Sequence, residues 1–399
     1  NKKEALVKLG SWFYRKSLFL FICVLLGLFI GTFCTGFLYL LQFVTEFRNA
    51  NTIIILGLPF SGILIGYFYL YFQPHIESAS KRLMRELYAP TKERFQFSLA
   101  PSLFLVAIIG HLFGASVGRE GAGVEAGAAL ADQMPFINAK ERHALLLAGA
   151  GAGFGSVLGT PISGIFFGLE IMKPYHLKYV ATVEIVVTAV SAFCFSKLLD
   201  SPFIMFPIMK GVIYDAELTL QVMIVSVIFG ITANFYIVLT RLLKTSFQKY
   251  LNFLPMRLFF GGTIISCLQF YEGSFRFAGV GGETLYKSLT DASTIDMPLY
   301  KLILTSLSIG SGYRGGEFIP LMFVGATLGS ALAPMIFSST QLLASLGFVA
   351  VVGAASKTPL TCSIMAAEIF GFDMLPYSLL SCAISSFVSG KYSFYERLA

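Results

Sequence analysis

Long runs of apolar residues, separated by short breaks that hold glycine, proline and charge, set the plan of this chain. The first run, about 18–44 (SLFLFICVLLGLFIGTFCTGFLYLLQF), is long enough to cross a bilayer with some tilt, and a second covers about 52–72. Further runs lie near 99–115, 124–134, 143–158, 160–172, 178–198, 217–243, 255–271, 296–310, 319–337, 341–356, 358–371 and 374–390. Several are too short to cross a hydrocarbon core of about 30 Å. Short hydrophobic segments interrupted by Gly and Pro predict helices that stop part-way through the membrane. Such ends are tolerated only where the freed backbone groups are buried in protein or line an aqueous cavity. The pattern predicts an all-α polytopic membrane protein with short re-entrant or broken helices.

Composition agrees. Hydrophobic residues make up 56% of the 399 positions and charged residues 13%, and the mean hydropathy is +0.75. A soluble domain carries roughly 25% charged residues, so the solvent of this chain is mostly lipid. The net charge of +7 comes from basic residues gathered at segment ends, which fits positive-inside topology and not a nucleic-acid partner. Lys2, Lys3, Lys8, Arg15 and Lys16 precede the first run, and Lys81, Arg82, Arg85, Lys92 and Arg94 follow the second. Both clusters therefore fall on one side, which places the N-terminus in the cytoplasm. The first run is too long for a signal h-region and lacks a small-residue cleavage site. Cys23, Cys34, Cys194, Cys267, Cys362 and Cys382 sit in apolar runs without metal-ligand spacing and read as small buried hydrophobes. His75, His111, His143 and His176 are scattered and are expected at loops or segment ends. No metal, cofactor, Walker loop, nucleophile elbow or dinucleotide motif is evident. A single transmembrane domain over 1–399, with no cytoplasmic regulatory domain, is expected.

An internal repeat relates the first half of the chain to the second. TPISGIFFGLEIM starts at Thr160 and TPLTCSIMAAEIF at Thr358, and Glu170 and Glu368 hold the same place in each. The same shift of 198 residues lays Gly149, Ala152 and Gly155 on Gly347, Ala350 and Gly353. Residues about 97–198 and 295–396 therefore read as two copies of one structural unit. The shift also lays Gly118-Arg119-Glu120-Gly121-Ala122 on Gly316-Glu317-Phe318-Ile319-Pro320. Each copy has a polar, Gly-flanked break just before a helix. If the copies face one another, two helix N-termini converge near mid-membrane. Their unpaired N–H groups and partial positive charge suit an anion.

Glu120 sits among those amides. Ionised, it takes the anion's own position; protonated, it is released, which makes it a gate and a proton carrier. The plainer reading is a structural acid paired with Arg119, but intramembrane acids are functional by default. Glu317, at the partner break, is either a structural charge paired with Arg314 or a second proton or ion site. The matched positions of Glu170 and Glu368 favour a scaffold or dimer-surface role. Glu125, one turn past Glu120, is a hydrogen-bonding partner or a vestibule residue. Tyr392 and Tyr395 in the terminal YSFY are either interfacial belt aromatics or a phenol facing the anion.

GREGAG before a helix, GGEFIP before its counterpart and a tyrosine near the last helix resemble the CLC family of anion channels and anion/proton antiporters. The resemblance covers nearly the whole chain. It implies a homodimer with one anion pathway per subunit, each subunit built from two inverted repeats. It makes Glu120 the external gating glutamate, with Glu317 a second candidate for gating and proton transfer. It places Gly118, Arg119, Gly121, Phe318, Ile319 and Tyr395 around the anion, with the amides of Phe318 and Ile319 facing it. Ala122 stands where the family pattern has proline.

Three departures bear on the branch. The Gly-Ser-Gly-Ile-Pro loop of chloride-selective members is replaced by IESASKRLMREL (76–87), where Ser78 or Ser80 is the substitute. Proton-coupled chloride exchangers carry two adjacent glutamates where this chain has Glu170-Ile171. The acid in GGEFIP resembles the fluoride/proton antiporter branch, and the ending SGKYSFY fits that branch through Tyr395. The resemblance thus implies an antiporter that exports fluoride in exchange for protons, in a bacterial cell membrane. A CLC-type chloride/proton exchanger or chloride channel is the alternative. An intramembrane enzyme using Glu120 and Glu317 as an acid pair is the remote reading, with no nucleophile or metal motif to support it.

Overall fold

The computed structural model describes residues 2–395 other than 75, 90, 92, 135–137, 173–176 and 178–180, with side chains from residue 13 onward. His75, His176, Lys92 and the side chains of Lys2, Lys3 and Lys8 lie outside the described residues. Among those described, regular structure is helical apart from a single backbone bridge. The helices are α1 (Lys2–Ala50), α2 (Leu58–Tyr71), α3 (Ala79–Tyr88), α4 (Leu99–Leu112), α5 (Glu120–Ala131) and α6 (Ala139–Leu158). Next come α7 (Pro161–Glu170), α8 (Thr182–Leu198), α9 (Ala216–Tyr250), α10 (Leu254–Glu272) and α11 (Gly282–Ser288). The last are α12 (Asp296–Ser311), α13 (Phe318–Leu332), α14 (Thr340–Ser356), α15 (Pro359–Phe370) and α16 (Leu375–Val388).

Among the described residues, four stretches are long and apolar enough to cross a membrane: Phe13–Ala50, Thr52–Tyr71, Ala216–Tyr250 and Phe318–Ile336. The protein is a multi-pass membrane protein. By contrast, α5 has 12 residues and α7 has 10, so at 1.5 Å per residue they rise only about 18 and about 15 Å. These are the part-way helices that the short runs predict.

Local chemistry sets the helix ends. Asn138 and Glu141 form a reciprocal capping box at the start of α6, and Asp215 caps α9 by accepting from Leu218 N at 2.6 Å. Pro161 and Pro359 open α7 and α15, where a missing N–H costs nothing. Just before them, Gly159 and Lys357 end α6 and α14 in the left-handed conformation, at φ 79° and 59°. They too are 198 residues apart.

Small residues let the broken helices pack closely. An added Cβ on Gly127 of α5 would lie 2.2 Å from the Gly149 carbonyl oxygen of α6. On Gly325 of α13 it would lie 1.9 Å from the Gly347 carbonyl oxygen of α14. Both contacts follow the Gly-mediated close approach of helices in lipid.

Three sequence expectations change. The 76–87 segment is a short 3-10 turn followed by α3, not a loop. Its short apolar face (Leu83, Met84, Leu87) is buried while Lys81 and Arg85 point outward, so no apolar run betrays it. Helix α5 begins at Glu120, ahead of the apolar run from 124. Cys194 and Cys267 are exposed, because they lie on the outward faces of α8 and α10.

Candidate functional site

The site begins at a meeting of glycines. Gly118 donates to the Gly316 carbonyl at 2.6 Å, and Gly316 donates back to Gly118 at 2.8 Å, an isolated antiparallel bridge. Each glycine thus pairs with the residue 198 positions away. Two residues beyond them begin α5 and α13, so the N-termini of two short helices open onto one point.

Glu120 fills that point and is fully buried. Its Oε2 accepts from Arg119 N at 3.2 Å and from Ile319 N at 3.3 Å, one amide from each helix start. A carboxylate oxygen on amides at two helix N-termini occupies an anion's position. Glycine is needed on both sides. A Cβ on Gly118 would lie 2.5 Å from Oε2, and one on Gly316 would lie 2.6 Å from it. Gly118, placed around the anion by the sequence reading, spends its amide on Gly316, and what it contributes is the space left by the missing side chain.

The other oxygen, Oε1, is buried without a hydrogen-bond partner, and so is Arg119 Nε. The two are 4.0 Å apart, at the outer limit of an ion pair. The Arg119–Glu120 pairing of the plainer reading is loose.

Two cavities approach from opposite ends. One, of about 600 Å³, is lined by Arg48, His111, Arg119 and Arg276. The other, of about 490 Å³, is lined by Ser80, Gly121, Glu125, Arg314, Glu317 and Phe318, among others. Thr45, Arg48 and Thr52 border the first and Pro74, Glu77 and Lys81 the second, and the span Thr52–Tyr71 runs between them. Twenty helical residues cover about 30 Å, the thickness of the hydrocarbon core. Arg119 lines one cavity and Gly121 the other, so Glu120 sits between them.

Glu317 is half-buried on the second cavity, where its Oε2 accepts from Tyr236 Oη at 2.7 Å. The Arg314 pairing considered from sequence goes elsewhere. Arg314 donates to Glu125 at 3.5 Å, to Ser80 Oγ at 3.4 Å and to the Ile76 carbonyl. Ser78 and Ser80, the two serines considered in place of a chloride-coordinating one, both line this cavity, and Ser80 Oγ donates a hydrogen bond to Glu125. Glu125 thus hydrogen-bonds to Ser80 and Arg314, not to Glu120, and lines the second cavity.

The two tyrosines separate cleanly. Tyr395 is buried beside Phe318 and Phe167, with ring centroids 6.4 and 6.2 Å away, and borders the second cavity. Tyr392 is exposed under the Arg241 guanidinium at 4.3 Å. Phe318 also packs edge-on to Phe154 at 5.0 Å.

Glu170 and Glu368 serve each other's helices. Glu170 accepts from Leu360 N, Thr361 N and Thr361 Oγ1 at 3.1, 2.8 and 2.8 Å. Glu368 accepts from Ile162 N, Ser163 N and Ser163 Oγ at 3.0, 2.9 and 2.6 Å. These bonds tie α7 and α15 to each other.

Sequence reasoning missed Tyr236, Arg48, and the polar contact of Ser116 with Thr305 and Ser308 behind the bridge. A tyrosine midway along the 35-residue α9, far from either interface, was the available signal for the first.

A family model described as voltage gated chloride channel matches residues 61–390. A chloride/fluoride channel protein of Pseudomonas syringae pv. tomato is 32% identical over 381 residues, 93% of this chain and 84% of that protein. The crystal structure of a CLC-type fluoride/proton antiporter superposes with a TM-score of 0.92 at 27% identity, covering 96% of this chain and 98% of that one. A slow cyanobacterial Cl-/H+ antiporter shares the fold, with a TM-score of 0.82 at 17% identity over 94% and 96% of the two chains. The broken helices, the bridge of glycines and the buried Glu120 thus sit in a chain that belongs to the voltage-gated chloride channel family, the CLC family.

Proposed function

We propose that this protein is a fluoride/proton antiporter that expels fluoride in exchange for protons moving inward. The observation that carries the reading is the Glu120 carboxylate seated on amides from two helix starts, between two cavities. Ionised, it competes with the anion for Arg119 N and Ile319 N. Protonated, it accepts from them only as a neutral oxygen, loses the charge assistance and yields the place to the anion. Glu317 on the second cavity supplies a second proton site. Fluoride is small and strongly hydrated, so it needs close donors such as amides and protonated carboxyls to replace water. The chloride/fluoride channel protein and the fluoride/proton antiporter to which this chain is similar support the choice of ion.

The rest of the assignment follows. Gly121, Phe318, Ile319 and Tyr395 border the anion path, and Ser80, bound to Glu125, takes no part in coordinating the ion. The chain is one transmembrane unit of two matching segments, about 97–198 and 295–396, and works as a homodimer in the cell membrane. Its N-terminus and the second cavity, with Lys81, Lys244 and Arg257 on its walls, face the cytoplasm. The activity is transport without chemical conversion. The test is efflux from liposomes loaded with fluoride or chloride, with external pH recorded together. Fluoride release with proton uptake and little chloride release is expected. Brisk chloride release overturns the ion assignment, and anion release without proton movement makes Glu120 a channel gate.

A further inference from the structure

The Arg119 cavity holds more buried positive charge than its acids balance. Arg48, in the last turn of α1, is buried, and its recorded hydrogen bonds go to the His111 carbonyl at 2.7 Å and the neutral Asn49 side chain at 2.9 Å. Arg119 is buried with Nε unpartnered, and Glu120 is the acid beside it, 4.0 Å away. Lys301, fully buried behind the wall, donates to the carbonyls of Phe277 and Gly279 at 2.9 and 2.5 Å. A Cβ on Gly279 would lie 2.6 Å from Arg48 Nη1, so that loop presses the guanidinium into place.

The other acids on this cavity are exposed and already engaged. Glu46 accepts from Gln42 at 2.8 Å and Glu283 pairs with Lys287 at 2.7 Å. The half-buried Arg276 pairs with Glu272 at 2.9 Å. Buried guanidinium charge without a matching carboxylate is costly unless a counter-anion enters.

His111 supplies the second unpartnered group. Its ring is buried, lines the cavity and has Nδ1 2.8 Å from the Ala107 carbonyl. A carbonyl only accepts, so Nδ1 carries the proton there and Nε2, buried without a partner, is a bare lone pair in the neutral ring. Protonation turns Nε2 into a donor on a ring that shares the cavity wall with Arg48 and Arg119.

We propose that the Arg119 cavity contains a second binding site for a small inorganic anion, a halide, held by Arg48, Arg119 and protonated His111. The anion and the His111 proton bind together, so the site fills more tightly as pH falls. The charges facing the ring are Arg48, Arg119 and Lys301, with Glu120 beyond Arg119 and Arg276, Glu46 and Glu283 at the cavity mouth.

The test is calorimetric titration of the purified full chain with sodium fluoride and, separately, sodium chloride at pH 5.5 and 7.5. A Glu120→Gln background removes the titration of that carboxylate. Adding His111→Gln is expected to weaken halide binding about tenfold at pH 5.5 and to flatten its pH dependence. Adding Arg48→Gln is expected to weaken it about tenfold at both pH values, and Arg48→Lys to restore most of it. Native elution on size exclusion separates these effects from misfolding, and His111→Gln alone decides the matter if Arg48→Gln does not fold. The effect is read in whichever halide binds, so failure of fluoride to bind counts against the transport reading above and not against this site. Isotherms of the double variants that superimpose on the Glu120→Gln isotherms in both halides overturn it.

Discussion

Helices α7 and α15 begin alike, and helices α5 and α13 do not. At the first pair, Glu170 caps α15 and Glu368 caps α7 with the same three donors in each direction, every partner displaced by 198 residues. At the second pair the backbone is equally reciprocal, with Gly118 and Gly316 exchanging both hydrogen bonds. The side chains differ. Glu120 stands where the other copy has Phe318, and Arg119 where it has Glu317. Identical residues at equivalent places bind the halves together, because each satisfies the orphan amides of the other's helix. Unlike residues at equivalent places leave one carboxylate seated on both helix starts, an aromatic ring opposite and a second acid turned toward one cavity. The side chains thus make the two faces of the site differ on a nearly symmetric frame.

This contrast can be broken at several points. The largest effect is expected from Glu120→Gln, which keeps the shape and removes the titrating group. Proton movement accompanying anion efflux should fall at least tenfold, read as pH change outside proteoliposomes. Preserved coupling in that variant would place the gate elsewhere.

Next come Glu170→Ala and Glu368→Ala. Each strands two amides and a hydroxyl. Glu170 and Thr361 are fully buried, and at about 1–3 kcal/mol per unsatisfied buried group the loss for Glu170→Ala is about 3 kcal/mol or more. Ile162 is exposed and Glu368 half-buried, so Glu368→Ala should cost less. Thermal unfolding in detergent reads both, and a larger drop for Glu368→Ala would show that burial does not set the cost of losing the cap.

A smaller change is expected at the second acid. Glu317→Gln should slow fluoride-coupled proton movement several-fold, and Tyr236→Phe, which removes one hydrogen bond of about 1 kcal/mol, should do so about threefold to fivefold. Unchanged coupled transport in Glu317→Gln rules out its proton role.

Least is expected from Lys357→Gly. Glycine relieves about 1–2 kcal/mol of left-handed strain. It gives up charge-assisted bonds from Lys357 Nζ to the Ser386 carbonyl and Ser389 Oγ at 2.7 and 2.6 Å. A net loss within about 1 kcal/mol is expected in the same unfolding assay, whereas a gain in stability would mean that the strain outweighs the bonds.

Much of this was written along the chain. Run lengths announced the long spans and the part-way helices, because crossing about 30 Å of hydrocarbon demands a minimum length of apolar residues. The offset of 198 residues aligned both glycine breaks and both capping glutamates, since spacing survives in a linear record. Glu120 and Glu317 stood out because an acid in an apolar run is expensive. Those features needed no knowledge of which helix lies beside which. The pairing of Glu317 with Tyr236 rather than Arg314, the engagement of Ser80 by Glu125, and the convergence of Arg48 and His111 on Arg119 did need it. Their partners are 81, 45 and 63 or more residues apart or come from separate helices, and contact depends on how each helix is rotated about its axis. Along α3 the polar sequence hid a helix whose few apolar residues find their partners only in the packed structure. The sequence by itself determined the membrane habit, the doubled frame and the acids at its breaks, because each follows from local cost. Only the tertiary structure decided which donor each acid meets and which charges share a cavity, because rotation and approach of packed helices are set by all their neighbours at once.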